Sequence, residues 1–335
     1  MGKEPTAPAA VRSADVARLA GVSRATVSFV LNNTQAHRVS DTTRARVLAA
    51  AQQLGYVPHA AARSLRAGRS NLVLVPASVS AVGRLVSTWI DDLQSGLEHH
   101  GYVTVLHAGR SSDAVSAARA WAELRPAAVL ALDGDSLTDQ AADVLRRAGV
   151  RGIMAFASHA VKGVHTIDFD HTRVGALAAE HLVSRGRRNI GVIMPRERGL
   201  ATFARPRLVG AQSVAARSTA TVTAVEMSYT HESAAELAEH CAESGLDGVF
   251  AYDDEYAALL LHALRAQGFS VPEDVAVVGA DDLVVSALQQ PPLTTVRMDL
   301  PAPSRIADAL HELVDRGTPP DVPGLEPVLV HRRSS

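Results

Sequence analysis

The sequence predicts an all-α head followed by a larger α/β body, and three observations carry that reading. Up to about residue 58 the apolar residues recur at helical spacing. From Leu72 onward, short continuous apolar runs alternate with amphipathic segments. Charge divides at the same place: residues 1–70 hold 10 Lys and Arg against 3 acids and the rest 23 against 32, behind a net charge of −2. At 335 residues, 47% of them hydrophobic, the chain can bury at least two cores.

Residues 1–11 read as a disordered leader without the apolar core of a signal peptide. From Asp15 to Asn32, DVARLAGVSRATVSFVLN breaks into two short helices around Gly21. Val16, Leu19 and Ala20 draw one apolar stripe, and Val27, Val30 and Leu31 another. Gly21 offers a turn residue without a Cβ, and Ser23 is a good N-cap for the second helix. Two helices around a short glycine turn form a helix-turn-helix. The second helix keeps a face of Arg24, Ala25, Ser28 and Asn32, with Phe29 beside them, which is the face this motif lays in the major groove of DNA. An ordinary helical hairpin is the competing reading of the segment alone.

A third helix follows, capped by Ser40, with Val47, Leu48, Ala51 and Leu54 as its buried stripe and Gly55 as its stop. Residues 12–58 make only a marginal core, so the head is expected to lean on DNA or a partner subunit. Residues 59–70, HAAARSLRAGRS, form a basic linker too short to be a helix by itself. It becomes helical only against a surface. The basic head on an acidic body implies that the head alone meets a polyanion, in a salt-sensitive manner.

In the body, strands are expected at Leu72–Val75, Val103–His107, Ala127–Leu132, Gly152–Phe156, Asn189–Met194, Val222–Val225, Asp247–Ala251 and Val275–Gly279, with a last strand near the C-terminus. Helical segments include Asp113–Leu124, Leu137–Ala148, Arg173–Ser184, Ser233–Glu243 and Tyr256–Gln267. This alternation implies two doubly wound parallel sheets, the second starting near Asp170 after about six strands of the first. A cleft beyond the carboxyl ends of such strands suits a small molecule. No apolar run reaches membrane-spanning length. The lone Cys241 reads as a small buried residue, consistent with a reducing cytoplasm. No phosphate-binding loop, dinucleotide fingerprint or nucleophile elbow occurs, and His99, His100 and the other histidines lack metal-ligand spacing. Neither enzyme chemistry nor a cofactor or metal is expected.

AGVSRATVS (Ala20–Ser28), RVSDTTRARV (Arg38–Val47), LGYVPHAAARSL (Leu54–Leu65), VPEDVAVVGADD (Val271–Asp282) and PPLTTVRMD (Pro291–Asp299) occur in that order. Together they resemble the lactose-repressor (LacI/GalR) family of bacterial transcription regulators. The resemblance implies a hinge helix at 59–70 and a two-lobed, periplasmic-binding-protein-like body over 71–335. Lobe 1 would take about 71–169 and 299–319, and lobe 2 about 170–298 and 320–335. It also implies a homodimer on palindromic operator DNA, with a small-molecule effector and no membrane partner.

Carried over by motif, the DNA-facing residues are Ser23, Arg24, Ala25, Thr26, Ser28, Phe29 and Asn32. Ala62 and Leu65 belong to the hinge, with Leu65 as a wedge in the minor groove. The effector residues are Asp170, Arg207, Asp253 and Asp281. Phe29 stands where many members carry Arg. The stretch Pro76–Val86 lacks the aromatic residues of many sugar-binding members, and Ala280 replaces a frequent Phe or Tyr. Trp89 and Phe203 are the nearest substitutes, so the expected cleft is poor in rings, and either its ligand is not a typical sugar or the cleft is little used. A solute-binding protein and a non-specific DNA binder are the alternatives; the basic head weighs against the first and the long two-lobed body against the second.

Overall fold

The computed structural model describes residues 11–31, 39–57, 70–77, 83–108, 113–197, 199–324 and 326–335. They fall into two compact units that meet in sequence at residue 70. Among the described residues no helix is long and apolar enough to cross a membrane.

Among its described residues the head has three helices, α1 (Ser13–Ala20), α2 (Arg24–Leu31) and α3 (Asp41–Gln53). Gly21 closes α1 in the left-handed region at φ 63°, as a tight turn into α2 requires. Ser40 caps α3 by accepting from the Thr43 amide. The core consists of Val16, Ala17, Ala20, Val27, Val30, Val47, Ala50 and Ala51. Two residues of the expected stripes are corrected: Leu19 is 47% exposed and Leu48 49%. In α3 the buried positions run 47, 50, 51, the i, i+3, i+4 pattern counted from Val47, and Leu48 lies a quarter-turn off it. Alanines take the leucines' places and allow close helix approach.

The described residues of the body form two sheets. In the first, β1 (Leu72–Pro76), β2 (Val103–His107), β3 (Ala128–Ala131), β4 (Gly152–Ala157) and β5 (His165–Asp168) lie in the order β2-β1-β3-β4-β5, all parallel. It has five strands where about six were expected. The second is β6 (Asn189–Pro195), β7 (Thr221–Met227), β8 (Gly248–Phe250), β9 (Ala276–Ala280), β10 (Thr294–Arg297) and β11 (Val328–Val330), ordered β11-β10-β9-β8-β6-β7. Its strands are parallel except β11, which runs antiparallel to β10. Strand order reverses at β1/β3 in one sheet and at β6/β8 in the other.

Helices α4 (Arg84–His99), α5 (Ala114–Glu123) and α6 (Asp139–Arg147) belong to the first lobe. Helices α7 (His171–Ser184), α8 (Ala201–Ala215), α9 (His231–Ser244), α10 (Asp254–Ala266) and the short α11 (Val284–Leu288) belong to the second. After β10 the chain returns to lay α12 (Pro303–Arg316) on the first lobe, where Ile306 and Leu310 join Val73, Ile90 and Leu93 in one core. It then crosses back to form β11. The indole of Trp89 donates to Pro301 O at 2.8 Å and so pins one crossing.

Candidate functional site

In the head, Ser23 caps α2, its Oγ accepting from the Thr26 amide at 3.0 Å and lying 2.9 Å from the Thr26 hydroxyl. Val27 and Val30 are buried, at 1% and 4% exposed, which turns the opposite side of α2 to solvent. Arg24 and Ala25 are exposed on the first turn, and Thr26, Ser28 and Phe29 are half-buried. The first turn of α2 carries no acid and one cation, Arg24, at the positive end of the helix dipole. That arrangement costs about 0.3–1 kcal/mol, and a phosphate beside it would offset the cost. Asn32, Ala62 and Leu65 lie outside the described residues.

In the body, a cavity of about 780 Å³ sits at the carboxyl ends of strands from both sheets, lined by Pro76 at the end of β1 and Ala77 after it, Leu132 and Asp133 after β3, Glu197 after β6, Tyr252 and Asp253 after β8, and Asp281 after β9. Strand order reverses at this end, which is where open α/β sheets hold ligands. The expectation of a cleft poor in rings is overturned: both tryptophans, Trp89 and Trp121, line it, with Phe156, Phe169, Phe203, Tyr229, Tyr252 and Tyr256. Edge-to-face contacts run Trp89–Phe156–Phe169–His171–Phe203 at centroid distances of 5.7, 5.8, 4.7 and 5.2 Å. The rings come from positions scattered over more than 160 residues, so no local motif announces them.

Arg207 anchors the second lobe's share of the cavity. It is 6% exposed. Its Nη1 donates to Tyr252 O, its Nε to His171 Nδ1 at 3.4 Å, and its Nη2 lies 3.5 Å from Asp281 Oδ1. The guanidinium also lies 5.1 Å from the Tyr252 ring centroid. It reaches this place because α7 and α8 touch backbone to backbone. A Cβ on Gly175 would strike the Arg207 carbonyl, and one on Gly210 the Thr172 carbonyl.

Asp281 follows β9 with φ 90°, in the left-handed region, and Asp282 follows at φ 50°. The fully buried Asp254 holds this bend, accepting from the Leu283 amide and the Thr295 hydroxyl, each at 2.6 Å. Burial pushes the Asp254 carboxyl up to about 8. Asp253 caps α10 through the amides of Glu255 and Tyr256 while lining the cavity. Burial and then Asp281 push its carboxyl up to about 7. Burial raises Asp281 too, against the pull of Arg207.

The cavity therefore brings together Arg207, Asp253 and Asp281 of the four expected residues. Asp170 caps α7, accepting from the Thr172 and Arg173 amides, and is not among the lining residues. Sequence reading missed His171, Glu197 and the three tyrosines. Glu197 accepts from the Tyr229 amide at 2.6 Å and from the Tyr256 hydroxyl. Position just beyond a strand's carboxyl end was the usable signal for Glu197 and Tyr252.

Comparison with known proteins agrees with both units. The model for bacterial regulatory proteins of the lacI family matches residues 14–59, and that for a periplasmic binding protein-like domain matches residues 179–335. The HTH-type transcriptional regulator CelR of Thermobifida fusca is 32% identical over 317 residues, 90% of this chain and 91% of its own. The transcriptional repressor PurR of Vibrio campbellii is 29% identical over 293 residues, 84% of this chain and 85% of its own. Among solved structures, a CelR–cellobiose complex matches with TM-score 0.61 at 28% identity, covering 97% of this chain and 100% of that one. A lac repressor dimer bound to operator and an anti-inducer matches with TM-score 0.73 at 26% identity, covering 97% and 99%. The chain belongs to the LacI family of DNA-binding transcriptional regulators.

Proposed function

We propose that this regulator is a cytoplasmic repressor that binds a pseudo-palindromic operator as a homodimer, its affinity set by a small polyol in the body's cleft. The observation that carries the reading is α2: it buries Val27 and Val30 and leaves Arg24 and Ala25 on an exposed first turn. In this reading Arg24 reads guanine bidentately, Ala25 meets a thymine methyl, and Ser23, Thr26, Ser28 and Asn32 hold phosphates. Phe29 shields the helix from the flank. The 59–70 segment is the hinge, with Ala62 small enough for two hinges to meet and Leu65 as the wedge.

Support for pairing comes from Val284 and Leu288, which are 78% and 73% exposed one turn apart on α11. Support for a polyol comes from the ring-lined cavity and from the cellobiose complex of CelR. Arg207, Asp253 and Asp281 are its polar contacts, and Asp170 acts through the start of α7. Footprinting on the DNA upstream of the protein's own gene tests the reading. A protected palindrome is expected; uniform, salt-sensitive protection without a preferred site would overturn it.

A further inference from the structure

Resting on that reading of the cleft, we propose that its second-lobe wall is a subsite for an ammonium group, so that the effector is an amine-bearing polyol. Three tyrosines make the wall: Tyr256 lies 5.4 Å from Tyr229 and 5.6 Å from Tyr252, centroid to centroid. Tyr229 is 50% exposed and forms the open edge. Carboxylates surround the rings. Glu197 takes the Tyr256 hydroxyl, and burial first, then Glu255 and Asp253, hold the phenolic proton on Tyr229. Aromatic faces ringed by carboxylates are the chemistry that recognises organic ammonium ions.

Charge balance points the same way. Of the described second-lobe residues that line the cavity, Glu197, Asp253, Glu255 and Asp281 stand with one cation, Arg207. Each nitrogen of Arg207 already has a protein partner, and its guanidinium sits on Tyr252. The wall thus already holds one cation on a ring, while its acids outnumber that cation. An arriving ammonium would draw the raised Asp253 carboxyl back to its ionised form.

His171 lines the same cavity and is joined to the wall through Arg207. It is 7% exposed and lines the cavity, and its Nε2 is buried with no hydrogen-bond partner. Nδ1 accepts from Arg207, so the neutral ring carries its proton on Nε2. Burial and Arg207 keep the ring neutral by lowering its pKa well below the ordinary value. Its Nε2–H is thus an unpaired donor buried beside the cavity.

Three β-1,4 disaccharides of one skeleton test this by calorimetry on the full chain at about pH 6, where an alkylamine is protonated: cellobiose, the glucosamine dimer and its diacetylated form. The glucosamine dimer is expected to bind at least about tenfold tighter than either neutral sugar, and to lose most of that advantage at high salt. Glu255→Gln, on the half-buried first turn of α10, is expected to shrink the ratio of amine to cellobiose affinity at least about threefold. A neutral sugar that binds as tightly as the amine overturns the ammonium subsite and leaves the polyol effector standing. A folded Glu255→Gln protein with the full amine advantage overturns it as well. No binding of any of the three overturns the subsite and the polyol reading together.

Discussion

Arg207, Asp253 and Asp281 were legible in the sequence because each sits in a motif, Asp253 and Asp281 just past a strand and Arg207 within α8. Of the rings only Trp89 and Phe203 were, since Trp121, Phe156, Phe169 and the tyrosines join them only when two sheets are built. Low aromatic content, 4% of the chain, is no guide to a cleft that gathers most of what there is. Arg207→Ala should leave Asp281 facing the cavity without its cation. A loss of about 3 kcal/mol in urea unfolding is expected, at the low end for a broken buried pair because the Asp281 side chain is 24% exposed.

Asp253 makes a pH prediction. Its folded pKa, about 7, lies above the unfolded value near 3.9. The folded state then binds more protons between those limits, so this group's contribution to stability is full at low pH and is lost as pH rises to about 7. Asp253→Asn, which can still cap α10, should unfold like the parent near pH 4 and be the more stable protein at pH 8. His171 and His181 run the other way, since both are lowered and cost stability as pH falls; the parent-minus-variant difference removes them. An unchanged difference between pH 4 and 8 would show that Asp253 is not buried as described.

At the scale of elements, α2 poses a choice between capping and phosphate contact at Ser23. Ser23→Ala should cost about 1 kcal/mol of stability through the lost cap. Ser23→Asp keeps a capping oxygen and adds a negative charge, so it should preserve thermal stability while weakening DNA binding. Equal DNA affinity for Ser23→Asp and the parent would leave the residue as a cap alone. The α7–α8 pair couples packing to the cleft, since Gly175 sits against the Arg207 backbone. Gly175→Ala should cost about 1–3 kcal/mol by overpacking and blunt the effector response more than DNA binding, as read by operator release against added ligand.

Element legibility followed composition. β5 buries only Ile167, so HTID carries little strand signal. β10 looks polar yet buries Thr294 and Thr295, whose hydroxyls meet the Arg332 amide and Asp254. Partnered hydroxyls let such a strand sit in a core. The shifted stripes of α1 and α3 have a related cause, because alanine packs where leucine was expected.

At the scale of the molecule, the chain crosses between lobes three times, and the crossing near Phe169 carries the ring chain that floors the cleft. A ligand that touches both lobes fixes their angle, and by linkage the operator must then change ligand affinity by the same factor. The two-lobed body was legible from alternating strands and helices, and the head from its glycine turn and caps. Leu65→Ala is expected to weaken operator binding while sparing random DNA, because a wedge acts only where a specific step is kinked; equal losses on both would remove the wedge.

The central claim, that α2 reads a specific sequence under control of the cleft, is tested most directly by selecting bound duplexes from a random library with the full chain, with and without a disaccharide that binds it. Enrichment of two inverted half-sites, lost or strengthened when the sugar is added, is expected. Unenriched sequences bound equally in both arms would contradict it.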